Sequence, residues 1–212
     1  MQKLFRKIES LQNSSRTVLI GIDGLGGAGK STISELLSGY FQDQNKIKIT
    51  ILHIDDFIHP RAVRYNPDVP EWKCYYDLQW RYDYLIQNVI KPLRNGQDFH
   101  RQIAFYNKEN DRYFLEQVTI PVGSLVILEG IFLQREELQG MFDYMIYLDI
   151  SEETRLQRVL KRDGYIGSQQ QIREKYENRY FPAERIYIRD CNPAAKADYV
   201  IRENEVFADF LA

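Results

Sequence analysis

A glycine-rich run, Gly24-Leu25-Gly26-Gly27-Ala28-Gly29-Lys30-Ser31-Thr32, fits the pattern GxxxxGK[ST] between an apolar stretch and a helical one. This is phosphate-binding chemistry. Glycines let successive backbone N–H groups turn inward around phosphate oxygens, and a helix starting at the end of the run adds the positive end of its dipole. Lys30 is placed to reach the β- and γ-phosphates of a nucleotide, and the Ser31 hydroxyl to ligand Mg²⁺. The expected nucleotide-binding set is Gly24, Gly26, Gly27, Ala28, Gly29, Lys30, Ser31 and Thr32, with ATP and Mg²⁺ as cofactors.

Two carboxylates close apolar runs further along the chain. Asp55-Asp56-Phe57-Ile58-His59-Pro60 follows residues 48–54, and Glu129 ends residues 124–129. In an open α/β sheet ligands gather beyond the carboxyl ends of the strands. Asp55 is therefore expected to orient an acceptor hydroxyl and take its proton. Glu129 stands where a Walker B acid usually stands, and with Ser31 and Asp55 it completes an oxygen ligand set of the kind Mg²⁺ prefers. The segment Asn107-Lys108-Glu109-Asn110 lacks the Asp that a guanine-reading NKxD motif needs, which argues against a switch GTPase. His53 and His59 have no partner ligands at metal-binding spacing and are read as structural.

These groups must be carried by a scaffold, and the patterning indicates which one. Short β-branched runs at 17–23, 48–54, 124–129, 143–149 and 198–202 alternate with helical patterns at 29–41, 77–90, 151–162 and 168–188. This ordering predicts a mostly parallel sheet with helices on both faces, a three-layer α/β sandwich. Pro92 is expected to end or kink the second helix. Residues 102–106 and 113–119 read as a hairpin around the polar turn 107–112. The irregular material falls at 57–121, between the second and third main strands. The helix at 151–162 has Ser151 as an N-cap, Leu156, Val159 and Leu160 on one face, and Arg155, Arg158 and Arg162 on the other.

Composition narrows the function classes. The chain has 212 residues, a net charge of −2, 44% hydrophobic residues and two cysteines, Cys74 and Cys191. Near-neutral charge argues against a duplex-binding protein, which clusters Lys and Arg. The thiols form no metal or disulfide pattern and fit a reducing compartment. No 18-residue apolar run and no signal-peptide core are present. The expectation is a cytoplasmic protein that binds neither nucleic acid nor membrane, with self-association left open. The apolar tail residues Val206, Phe207, Phe210 and Leu211 are expected to pack on the domain or on a second copy.

The run 24–32, Asp55-Asp56-Phe57 and Leu128-Glu129-Gly130 together resemble the uridine kinase, phosphoribulokinase and pantothenate kinase group of P-loop kinases, over roughly residues 18–200. Asp55-Asp56-Phe57-Ile58 is similar to the D-S-F-Y segment of uridine kinases, whose first Asp is catalytic, and Asp55 to Pro60 is closer still to the D-G-F-L-H-P of bacterial pantothenate kinases. Tyr75-Tyr76-Asp77 resembles F-D-H-P, and Phe105-Tyr106-Asn107 resembles P-x-Y-D. The resemblance implies an acceptor-binding set of Asp55, Phe57, Tyr76, Asp77 and Tyr106. Leu78 and Asn107 depart from these patterns where the acceptor is read.

The series Thr154-Arg155-Leu156-Gln157-Arg158 through Arg162-Asp163 is similar to the start of the family's mobile lid. That likeness makes Arg158 and Arg162 the expected stabilisers of charge on the transferring phosphoryl group, with Asp55 and Lys30 completing the catalytic set. Arg173 and Arg179 are further phosphate candidates. The implied whole is one P-loop kinase domain over residues 1–212, with an acceptor-covering insertion at 57–121 and a lid at 155–180. Its implied activity is transfer of the ATP γ-phosphoryl group to a hydroxyl of a small metabolite. A nucleoside such as uridine is the leading acceptor and pantothenate or a similar compound the alternative. An ATP-binding regulator without an acceptor is the alternative of another class.

Overall fold

The computed structural model describes residues 2–12, 15–45 and 48–203, so the expectation for the tail 205–212 lies outside the described residues. The apolar runs form strands β1 (Val18–Gly24), β2 (Ile49–His53), β5 (Leu125–Gly130), β6 (Tyr144–Asp149) and β7 (Tyr199–Arg202). They make one parallel sheet in the order β2-β5-β1-β6-β7. Strands β1 and β5 are buried along their whole length, which accounts for their unbroken apolar character.

Two cores flank the sheet, sharing out alternate residues of β1. Val18, Ile20 and Ile22 pack with Leu4 and Ile8 of α1 (Gln2–Leu11) and with Ile33, Leu37 and Phe41 of α2 (Lys30–Asn45). Leu19 joins the opposite core with Leu85, Val89 and Phe99 of the insertion and Tyr187 near the C-terminal end. A layer on each face gives the expected sandwich.

The insertion between β2 and β5 is more helical than its Pro-rich sequence suggests, and its main helix is broken. The pattern at 77–90 predicts one helix, but Glu71–Lys73 and Cys74–Leu78 form one helical piece and residues 82–93 another. Between them the chain pairs with the segment that follows β2: His59 N donates to Gln79 O at 2.8 Å and Arg81 N to Phe57 O at 2.9 Å. Pro92 enters the second piece just after the wide turn Ile86–Ile90, which accommodates a residue that has no N–H to donate. The hairpin pairs β3 (Phe99–Asn107) with β4 (Arg112–Ile120), longer than the alternation indicated, and Asp111 takes φ +55° in its turn.

Beyond β6, α3 (Glu152–Arg162) is capped by Ser151, whose side chain accepts from Thr154 N. Helix α4 (Gln169–Lys175) starts with a capping box between Ser168 and Gln171. A wide turn, Tyr176–Tyr180, joins it to α5 (Phe181–Cys191). The helix predicted at 168–188 is thus one nearly continuous run with a loosened middle. No helix among the described residues is long and apolar enough to cross a membrane.

Candidate active site

Strand order brings the chemistry together. Since β5 lies between β1 and β2, with His53 opposite Glu129 and Asp23 opposite Gly130, the loops leaving β1, β2 and β5 open at one edge. A cleft of about 740 Å³ occupies that edge, and Gly29, Lys30, Ser31, Asp55 and Glu129 all line it.

The phosphate loop has a conformation that needs its glycines. Gly27 has φ +82°, and a Cβ there would lie 2.8 Å from Val159 Cγ1 and 2.9 Å from Arg155 O, both on α3. Lys30 Nζ donates to Leu25 O at 3.2 Å, holding the ammonium over the loop. Ser31 Oγ donates to Glu129 Oε1 at 3.1 Å, and His53 Nδ1 donates to the same oxygen at 2.6 Å. Burial pushes the Glu129 carboxyl up, but the His53 hydrogen bond and the Lys30 charge outweigh it, so the group sits below the ordinary glutamate range. His53 is raised by that same hydrogen bond, against partial desolvation. A hydroxyl and an ionised carboxylate converging beside Lys30 fit Mg²⁺, which takes hard oxygen ligands.

The loop is held from below by two acids that its motif does not announce. Asp23 is fully buried and its carboxylate accepts from Gly24 N at 2.8 Å, Gln134 Nε2 at 3.0 Å and the Tyr187 hydroxyl at 2.5 Å. Burial raises its pKa against those hydrogen bonds. Glu184 accepts from Gly26 N at 2.9 Å and pairs with Arg155 at 2.7 Å, and both side chains are almost wholly buried. Desolvation raises Glu184 against the nearby Arg155 charge.

Arg155 therefore does not share an exposed row with Arg158 and Arg162. It turns under the phosphate loop, donating to Gly26 O and Ile150 O as well as to Glu184. Arg158 reaches over the loop to Ala28 O at 3.0 Å and Gly27 O at 3.3 Å, and lines the cleft. Arg162 also lines the cleft, with its guanidinium paired to Asp163 at 2.6 Å. Arg179 is buried, donating to Glu71 O and Gln79 Oε1, so it props the insertion instead of facing phosphate. Arg173 is exposed and does not line the cleft; Lys175, two residues on, does.

On the acceptor side the structure redistributes the expected residues. Asp55 is exposed at the cleft wall, 3.9 Å from Lys108 Nζ. Phe57 is buried against Phe105, in the core behind that wall. Tyr76 turns to Phe132 with Arg135 stacked on its ring, and Asp77 is exposed outside the cleft. Tyr75 and Gln79 line the cleft in their place, the outcome of the wide helical turn Cys74–Leu78. Tyr106 is buried and meets the cleft only through Arg64, which donates to its hydroxyl at 2.6 Å.

A family model described as phosphoribulokinase / uridine kinase family covers residues 19–205. The chain belongs to that family. It is an ATP-dependent phosphotransferase with an alcohol group as acceptor, and ATP and Mg²⁺ are its donor and cofactor. A uridine kinase of Clostridium novyi is 31% identical over 150 residues, 70% of this chain and 69% of that one. A uridine kinase of Macrococcus caseolyticus is 27% identical over 205 residues, 93% and 95% of the two chains. A solved structure from Bacillus stearothermophilus, described as a possible uridine kinase, superposes with a TM-score of 0.76 at 30% identity, covering 94% of this chain and 96% of that one.

Proposed function

We propose that this kinase acts through Asp55 on a small hydroxylated metabolite bound between the phosphate loop and the 57–121 insertion. The observation carrying this is that Asp55, Lys30, Ser31 and Glu129 line one cleft at the carboxyl edge of the sheet. Lys30 and the loop N–H groups hold the ATP phosphates, and Ser31 and Glu129 hold the metal. Asp55 accepts the proton of the acceptor hydroxyl as its oxygen bonds to the γ-phosphorus and the bond to the β-phosphate oxygen breaks, releasing ADP. Mg²⁺, when bound, neutralises charge on the phosphate oxygens. Arg158 and Arg162 stabilise charge on the transferring group as residues 155–180 close.

Residues 1–212 form, in this reading, one catalytic domain with its acceptor wall in the insertion, in a reducing cytoplasmic setting that suits the free thiols Cys74 and Cys191. The names of the relatives favour a nucleoside as acceptor. A second reading, an acceptor bearing an acid group, is favoured by the charge of the insertion wall. The test is ADP release with ATP and Mg²⁺ across both acceptor classes. Acceptor-dependent turnover is expected; ADP release indifferent to every acceptor would instead indicate a nucleotide-binding regulator.

A further inference from the structure

Among the described residues two side chains hydrogen-bond the Glu129 carboxylate, and only Ser31 of them belongs to the phosphate-loop motif. The other is His53, the last residue of β2. Sheet register brings it there. In the parallel pair of β2 and β5, Ile51 stands opposite Ile127, Leu52 opposite Leu128 and His53 opposite Glu129, and successive residues of a strand face opposite sides. Leu52 and Leu128 pack into the core shared with the insertion, whereas Ile51 and Ile127 pack on the side of α2. His53 and Glu129, two residues beyond that second pair, therefore face α2, where Ser31 stands in the first turn.

The contact is defined atom by atom. His53 Nδ1 lies 2.6 Å from Glu129 Oε1, and Ser31 Oγ donates to that same oxygen at 3.1 Å. A carboxylate that holds a metal is ionised and can only accept, so Nδ1 carries the proton of this bond and is itself no metal ligand. Both donors fall on Oε1, and Oε2 takes no hydrogen bond from the described residues. Glutamate has one more rotatable bond than the aspartate of a common Walker B strand, and a carboxylate left loose would have to give up that freedom on meeting the ion. Tied through Oε1 to a residue whose own backbone is paired in the sheet, the acid is oriented beforehand. Outer hydrogen bonds of this kind orient metal-holding groups and tune their affinity. The Glu129 side chain is 9% exposed and that of His53 47%, so the imidazole can be replaced without opening the core.

We propose that His53 is a positioning residue for the metal: donating from Nδ1, it fixes the Glu129 carboxylate in the orientation that holds Mg²⁺ on the nucleotide. This rests on the reading of Glu129 as a metal-holding acid, and it gives a role to a histidine that the spacing of possible ligands leaves as structural.

The experiment measures binding of the β,γ-imido analogue of ATP to the full chain by calorimetry, once with Mg²⁺ and once with EDTA. The ratio of the two dissociation constants reads what the metal contributes, without turnover. In His53→Ala the constant with Mg²⁺ should rise by about 10- to 100-fold, the cost of losing a group that orients a metal-holding residue, while the constant with EDTA stays within about twofold. His53→Asn carries an amide N–H near the place of Nδ1 and should recover most of the loss. His53→Gln carries it near the place of Nε2 and should not. A change of less than about twofold with Mg²⁺ in His53→Ala, equal weakening with Mg²⁺ and with EDTA, or better recovery in His53→Gln than in His53→Asn would each overturn the proposal. Glu129→Gln tests the reading underneath: if it leaves the wild-type ratio unchanged, Glu129 does not hold the metal and the proposal falls with that reading. A ratio lost in Glu129→Gln but intact in His53→Ala removes the proposal alone.

Discussion

Replacing Glu184 by alanine should damage the phosphate loop and the stability of the whole chain together. Glu184 and Arg155 are 1% and 2% exposed and 2.7 Å apart, so removing the acid strands a guanidinium that water cannot reach. It also takes the acceptor from Gly26 N. Breaking a buried pair from one side costs about 3–5 kcal/mol. For a chain of this size each kcal/mol moves the midpoint by about 2–4 °C, so Tm should fall by roughly 6–20 °C. Calorimetry and urea melts of E184A read the loss directly. Replacing both partners by leucine should cost clearly less than the sum of the single changes, because neither charge is then left alone. A loss below about 1 kcal/mol in E184A, or strict additivity in the double variant, would refute the view of Arg155 as a buried strut.

Gly27→Ala should weaken ATP binding and lower Tm, since a Cβ at φ +82° would press within 3 Å of α3; an unchanged KM for ATP would contradict the tight seat of the loop against that helix. Asp111 is held below the ordinary aspartate range by hydrogen bonds from Tyr106 and Arg61 N. Its contribution is therefore present above the usual value of 3.8 and lost as pH falls through the depressed one, so the stability gap between wild type and Asp111→Asn should be open at neutral pH and close in acid. Urea melts from pH 3 to pH 7 would show this, and a gap that widens in acid would contradict it.

The five sheet strands and the phosphate loop were legible because each is a local pattern: an unbroken apolar run for a strand buried on both faces, and a fixed glycine spacing for the loop. The sheet order was not, and it is the order that sets Glu129 beside Ser31 and His53. Arg155 illustrates why a helical wheel misleads here. Its spacing matches that of Arg158 and Arg162, but the helix lies on the phosphate loop, and an acid 29 residues later supplies a buried partner. Arg179 is hidden without an acid partner among the described residues, held by Glu71 O and Gln79 Oε1 against the rings of Tyr65 and Tyr75. On the acceptor side the one-residue shift from Tyr76 to Tyr75 comes from a wide helical turn that no periodicity marks. Asp23 was readable in part: a lone acid in an otherwise apolar strand, immediately before the glycine motif, has to be satisfied somewhere.

The central claim is that Asp55 is the base of a phosphoryl transfer across this cleft. Transfer of label from γ-labelled ATP to the acceptor identified by ADP release, compared between wild type and Asp55→Asn, tests it most directly. A general base contributes about 10²- to 10⁴-fold, so kcat should fall by that range while ATP binding measured by calorimetry is unchanged. Retention of more than about a tenth of kcat in Asp55→Asn would contradict the account, because no lost base is worth so little.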